Sequence, residues 1–254
     1  MGCQRPPGPP PIDPPVGAVL DGGDPLRVPA VREGRARVQD EGSQLAALAL
    51  SRAVPITAGE RWLDLCAGPG GKSALLAAEA ARAGAVLTAN ELVPARAELV
   101  RKALAVFDPA PEVWELDGTT VGALYPESFD RILLDAPCTG LGALRRRPEA
   151  RWRKQPSDVA GLGALQARLL ESAVAALKPG GILAYVTCSP HAAETKSIVA
   201  SVLRKAEGVE RLDTPGVLQG LVTEPLDLPE ASHAQLWPHR HGTDAMFIQL
   251  LAKV

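Results

Sequence analysis

The chain has 254 residues, 46% of them hydrophobic, 22% charged and only 4% aromatic, and its formal net charge is −2. That length bounds the fold to one large α/β domain with at most a small appendage and permits a sizeable buried core, and an alanine- and leucine-rich composition disfavours an all-β sandwich. A charge so close to balance neither demands nor forbids a nucleic-acid partner, which local charge must decide. Cys3, Cys66, Cys138 and Cys188 lie far apart with no C-x-x-C pair, which argues against a zinc site or a disulfide framework. The start runs into prolines without an apolar core, so it does not read as a secretory leader, and no apolar run approaches the roughly 18 residues of a membrane span. A soluble, cytoplasmic, monomeric protein with no metal is expected.

Seven of the 24 prolines fall within residues 1–15, so residues 1–24 read as an extended or disordered tail and residues 25–254 as the folded domain. Arg27, Arg32, Arg35 and Arg37 follow, readable either as a solvated tail or as a basic arm for a phosphate backbone. From there helix and strand alternate. Leu45–Ala53 reads as a helix, Trp62–Cys66 as a strand, Ser73–Ala83 as a helix and Ala85–Ala89 as a strand. Pro94–Phe107 is a helix with proline in its first turn, and Val113–Leu116 and Arg131–Asp135 are strands. Ser157 caps a long helix that runs to Leu177 and stops at Lys178-Pro179-Gly180-Gly181. Ile182–Thr187 is a strand, followed by a helix to about Lys205, and Ala245–Leu251 is the last strand. The pattern predicts a Rossmann-like, doubly wound and mostly parallel sheet, expected to total seven strands, six of which are placed here.

The first strand passes through Asp64-Leu65-Cys66-Ala67-Gly68-Pro69-Gly70-Gly71-Lys72-Ser73 directly into a helix. Glycines let the backbone approach a ligand closely, and the helix start offers free N–H groups. A Walker loop would need glycine where Cys66 stands, and Ser73 occupies the third glycine position of a dinucleotide fingerprint. Glu91 follows the second strand, at about the 20-residue distance from which a carboxylate reaches ribose hydroxyls. Asp117 follows the third strand, placed to accept from an adenine amino group, and Asp135 ends the fourth. Three carboxylates would repel a pyrophosphate and suit a positively charged adenosine ligand.

Three motifs then occur in order: Cys66 through Lys72, Asp135-Ala136-Pro137-Cys138-Thr139-Gly140, and Thr187-Cys188-Ser189-Pro190-His191. With Val38-Gln39-Asp40-Glu41-Gly42-Ser43-Gln44 and His241-Gly242-Thr243-Asp244-Ala245-Met246-Phe247, the chain from about residue 25 onward resembles the Sun-type, RsmB-like RNA cytosine-5 methyltransferases, closest to those acting on 16S ribosomal RNA. The resemblance implies a class I methyltransferase fold and S-adenosylmethionine as cofactor, held by Cys66, Ala67, Gly68, Pro69, Gly70, Gly71, Lys72, Glu91, Asp117 and Asp135. Such small-subunit enzymes usually carry a NusB-like helical domain before the catalytic one, where this chain has its proline-rich stretch, so a shortened member and a fragment both stay open. The family's ribose-binding acid is usually aspartate; here it is Glu91.

Carbon 5 of cytosine becomes a nucleophile only after a thiolate adds at carbon 6. The resemblance implies Cys188 as that nucleophile, Cys138 as the group assisting release, and Asp135 as the residue holding the cytosine edge. Locally, Ser189 reads as a helix cap and Pro190 as a first-turn residue, which would set Cys188 against the positive end of a helix dipole and favour its thiolate. His191 reads as a capping or solvated residue. Cys66 reads as a buried lining residue and Cys3 as inert. For Lys72 a helix-start role and a contact to cofactor or base compete, and the resemblance favours the contact.

Arg145, Arg146, Arg147, Arg151, Arg153 and Lys154 form a basic run around Trp152 directly after the Cys138 motif, which predicts phosphate contacts and base stacking with RNA. His239 and His241 are too few to make a metal site. Three other readings remain: a tRNA cytosine-5 methyltransferase, a nicotinamide-dependent oxidoreductase, and a non-catalytic RNA-binding ribosome-assembly factor.

Overall fold

Apolar side chains alternate along each central strand, so the sheet is buried on both faces. In the fourth strand Ile132 and Leu134 pack on one side and Leu133 on the other. The computed structural model describes residues 17–20 and 22–254, so Cys3 and most of the proline-rich tail lie outside the described residues. The strands are β1 (Arg61–Asp64), β2 (Val86–Asn90), β3 (Glu112–Trp114), β4 (Phe129–Asp135), β5 (Leu177–Thr187), β6 (Val209–Arg211), β7 (Ala234–Gln235) and β8 (Phe247–Lys253). They form one sheet in the order β3-β2-β1-β4-β5-β8-β6, with β7 paired to β8. The first five run parallel, and β8 returns antiparallel to β5, β6 and β7.

One face is covered by the helices Glu41–Arg52, Gly71–Ala83 and Pro94–Leu104, through residues such as Leu45, Leu76 and Val100. The other is covered by Pro156–Ala176 and Lys196–Leu203, through Leu169, Leu170 and Val199. This is the doubly wound, mostly parallel sheet that the alternation predicts, with β6 and the two-residue β7 added to the six strands placed from the sequence, eight in all. No helix among the described residues is long and apolar enough to cross a membrane.

Boundaries moved where side chains overrode local pattern. The long helix starts at Pro156 and not under a Ser157 cap, because Asp158 accepts from the Gln155 N–H at 3.0 Å while Pro156 opens the first turn. It ends at Ala176, and Lys178-Pro179-Gly180-Gly181 belongs to an irregular start of β5, where the register with β4 shifts between Phe129 and Arg131. The first helix begins earlier than the apolar run, at Glu41, since Asp40 caps it by accepting from the Ser43 N–H. In the preceding basic stretch, Arg35 pairs with Glu33 and Arg37 donates to the Ala103 carbonyl at 2.9 Å.

A buried guanidinium ties the sheet to the first helix. Arg131, on β4 and 1% exposed, pairs with Glu60 at 2.7 Å and donates to the carbonyls of Leu50, Ser51, Val54 and Pro55. Its guanidinium also stacks over Trp62. The sequence reading took Arg131 only as the first residue of a strand.

Candidate active site

Parallel strands end together, so the carboxyl edge of β1, β2, β4 and β5 gathers the three motifs, as open α/β sheets do at their ligand crevice. The glycine loop leaves β1 and is pinned by the Ala67 N–H donating to the Asn90 carbonyl at 2.8 Å and the Gly70 N–H to the Ala67 carbonyl at 2.7 Å. Gly70 has φ of 99°, and a Cβ there would lie 2.6 Å from the Ala103 Cβ, so only glycine permits the turn into the Gly71–Ala83 helix.

The acids take up different environments. Glu91, 4% exposed, accepts from the Gly68 N–H at 3.1 Å and the Val93 N–H at 3.0 Å, and Arg96 pairs with it at 3.4 Å while donating to the Gly68 carbonyl at 2.6 Å. Asp117 is exposed and accepts from the N–H and hydroxyl of Thr119, which lower its pKa. Asp135 accepts from Lys72 Nζ at 2.7 Å. Burial pushes the Lys72 amine toward neutrality, but the Asp135 carboxylate more than offsets this and leaves its pKa raised.

Asp64, which the sequence reading left without a role, is 1% exposed at the end of β1. Ser73 donates to its Oδ2 at 2.7 Å, and its Oδ1 has no hydrogen-bond partner. Burial pushes its pKa up to about 7, against the Ser73 hydrogen bond. An orphaned carboxylate oxygen beside the glycine loop, with Glu91, Asp117 and Asp135 near it, fits a cationic ligand carrying amino and hydroxyl groups. The sign of its pH effect follows from the raised value. The unfolded chain releases this proton near 4 and the folded one near 7, so stability is lost as pH rises between them. Urea melts of the ligand-free protein should show that slope, and Asp64→Asn should flatten it; an unchanged slope would place the titration elsewhere.

Cys138 and Cys188 follow neighbouring parallel strands, whose register pairs Asp135 with Val186, and their sulfurs lie 3.4 Å apart. Either sulfur can donate in the hydrogen bond between them; with Cys138 as donor, it holds the Cys188 pKa below the ordinary thiol value against the cost of burial and the Asp135 charge. The same bond, with burial, keeps the proton on Cys138 and raises its pKa. Both cysteines are partly exposed. Burial pushes the Cys66 thiol far up, in keeping with a lining residue.

The helix dipole expected behind the Cys188 thiolate is absent, because no helix starts at Ser189, whose hydroxyl donates to Glu194 at 2.6 Å and accepts the His191 N–H at 3.1 Å. The chain makes a short 3-10 turn at Ala192–Glu194, capped by His191 accepting from the Ala193 N–H, and the helix begins only at Lys196. A hydrogen bond from Cys138 replaces the helix dipole.

The basic run also divides. Arg145 pairs with Asp40 and, at 2.8 Å, with Asp244, and Arg146 is bidentate on Asp244. These two cations join the motif before the first helix to the motif before β8 and are not free for phosphate. Arg147, Arg151 and Arg153 are exposed, Lys154 is half-buried, and Trp152 is 79% exposed with the Arg151 guanidinium stacked on it. His241 is buried, accepting from the Trp237 N–H and bonded to the Leu226 carbonyl, which is a structural role. Among the described residues no group of three or more His, Cys, Asp or Glu is arranged to hold a metal ion.

A family model described as 16S rRNA methyltransferase RsmB/F matches residues 53–252. A Mycobacterium tuberculosis protein, Rv1407, is 52% identical over 240 residues, covering 94% of this chain and 51% of that protein. Ribosomal RNA small subunit methyltransferase B of Pseudomonas syringae pv. tomato is 34% identical over 231 residues, covering 89% of this chain and 49% of its own length. A solved methyltransferase homolog from Pyrococcus horikoshii superposes with a TM-score of 0.73 at 28% identity, covering 92% of this chain and 73% of that one. The chain thus spans about half the length of the curated relatives it matches. With its glycine loop, strand-end acids and paired thiols in their places, the chain belongs to the RsmB/F family of 16S rRNA methyltransferases.

Proposed function

We propose that this chain transfers a methyl group from S-adenosylmethionine to carbon 5 of a cytosine in RNA, with 16S ribosomal RNA as the substrate. The observation that carries this reading is the pair of sulfurs 3.4 Å apart at the ends of β4 and β5, one favoured as thiolate and one as thiol, beside the Lys72–Asp135 pair. An oxidoreductase on the same loop gives that pair nothing to do. The glycine loop, Asp64, Glu91 and Asp117 would hold the cofactor, which supplies an electrophilic methyl group when bound.

Cys188 attacks carbon 6, forming an S–C bond and moving the ring electrons onto carbon 5. Asp135, held by Lys72, orients the cytosine edge. Bonding of Cys188 to the ring removes the acceptor that kept the Cys138 proton in place, the largest influence raising its pKa, and the Cys138 thiol then gives that proton to water. Once carbon 5 is methylated, the Cys138 thiolate takes the carbon-5 proton, the carbon-6–sulfur bond breaks, and the 5,6 double bond is restored with Cys188 released as thiolate. The target base must leave its stack to reach these sulfurs, which favours an unpaired cytosine.

Incubation with methyl-labelled S-adenosylmethionine and unmodified 16S ribosomal RNA, followed by mapping, should find 5-methylcytosine at a discrete site. No label, together with tighter binding of NAD than of S-adenosylmethionine, would overturn the reading. For RNA contacts, Arg147, Arg151 and Arg153 carry the expectation in place of Arg145 and Arg146. Changing those three to alanine should weaken RNA binding and reduce the log–log salt slope by about 2, at about 0.7 per single-strand phosphate contact. An unchanged slope would remove this loop from the interface.

A further inference from the structure

We propose that Glu194 is the positioning residue that sets the two catalytic sulfurs against each other. It lies on neither cysteine motif's strand, it is fully buried, and its carboxylate bridges the loops that carry them. From the Cys138 loop, Oε1 accepts the Thr139 N–H at 2.8 Å and Oε2 accepts the Thr139 hydroxyl at 2.6 Å. From the Cys188 loop, Oε2 accepts the Ser189 hydroxyl at 2.6 Å. Thr139 and Ser189 are the residues immediately after the two cysteines, so one carboxylate fixes both chains one residue from both sulfurs. Glu194 is itself anchored: its backbone carbonyl accepts the Tyr185 hydroxyl at 2.9 Å, and Gln166 bridges Oε1 to the Pro137 carbonyl.

The need for such a clamp follows from the strands. Register pairs Asp135 with Val186, but beyond those residues the two chains leave the ladder, and the strands no longer specify where the loops lie. The Ala136 N–H donating to the Val186 carbonyl closes the ladder, and the Gly142 N–H donating to the Cys188 carbonyl, at 2.9 Å, is a backbone tie between the loops. A sulfur–sulfur hydrogen bond is short-ranged, so a small displacement of either loop abolishes it and, with it, the largest influence lowering the Cys188 pKa. Glu194 thereby acts on reactivity through Thr139 and Ser189 without touching substrate or sulfur. The link to methyl transfer rests on the function proposed above, whereas the geometry can be tested on the thiols alone.

The test measures three quantities on the intact chain: the pH profile of iodoacetamide alkylation at Cys188, the rate of Cys138–Cys188 disulfide formation by diamide, and methyl transfer. Diamide takes the two hydrogens and electrons of the thiol pair and is reduced to the hydrazine. Glu194→Ala should shift the alkylation midpoint upward and slow both alkylation at pH 7 and disulfide formation by about tenfold, one pKa unit's worth of thiolate. Glu194→Gln should fall between, because its amide can donate to the two hydroxyls the carboxylate accepted from. Val202→Ala, a core truncation on the Lys196–Leu203 helix, controls for general destabilisation and should leave the thiol chemistry unchanged. If Glu194→Ala does not fold, Ser189→Ala and Thr139→Val each release one loop and should move both thiol readouts in the same direction. Thiol profiles matching the parent in the folded variants would overturn the positioning role. Altered thiols with no methyl transfer in the parent would leave it standing and refute the proposed function instead.

Discussion

Cys138→Ser is expected to leave the protein covalently attached to its RNA, and Cys188→Ser to give neither adduct nor product. The difference follows from which sulfur carries the charge. The hydrogen bond from Cys138 lowers the Cys188 pKa against burial and the nearby Asp135 carboxylate, so Cys188 is the sulfur favoured as thiolate. Removing Cys188 removes bond formation at carbon 6, and transfer should fall by at least about a thousandfold, the scale seen when a covalent nucleophile is lost. Removing Cys138 spares the attack but takes away the base for the carbon-5 proton, so the methylated adduct accumulates and survives denaturing electrophoresis. Cys138→Ala, which removes the donor that serine would keep as a hydroxyl, should also raise the Cys188 pKa, so its adduct formation should need higher pH than in the parent. An adduct from Cys188→Ser, or full turnover by Cys138→Ser, would reverse the assignment.

Arg131→Met should be the most damaging single change to stability. The guanidinium is buried with Glu60 and four backbone carbonyls as partners, and methionine fills its volume while satisfying none of them. Breaking a buried pair from one side leaves the other charge uncompensated, which costs about 3–5 kcal/mol. Urea denaturation should show that loss, and Glu60→Gln added to Arg131→Met should recover part of it. A loss under about 1 kcal/mol, near what an exposed pair is worth, would mean that water replaces the guanidinium.

Much of this molecule is legible along the chain because its determinants are local. Apolar runs of strand length at Trp62–Cys66, Ala85–Ala89 and Arg131–Asp135 mark the sheet, and the glycine loop marks the turn into the Gly71–Ala83 helix. Both cysteines read as strand-end residues because each follows an apolar run directly. Boundaries failed where a polar cap extends a helix beyond its apolar run, as at Asp40 and Asp158, each of which accepts an N–H three residues away. The helix expected after Ser189 failed because the Ser189 hydroxyl, which accepts the His191 N–H, is held by Glu194, five residues on, and the helix starts only at Lys196. Arg145 and Arg146 looked like free cations because their partners, Asp40 and Asp244, lie about a hundred residues away in each direction.

The sequence by itself determined which residue types stand at the strand ends, the order of the elements and the family they identify, since these rest on periodicity and on contiguous motifs. Only the tertiary structure decided how those residues share protons and charge. Pairing β4 with β5 brings two thiols 50 residues apart to 3.4 Å, burial pushes the Asp64 pKa to about 7, and Glu194 closes the loops over both sulfurs. Hydrogen bonds and desolvation depend on distance in space, which no spacing along the chain records.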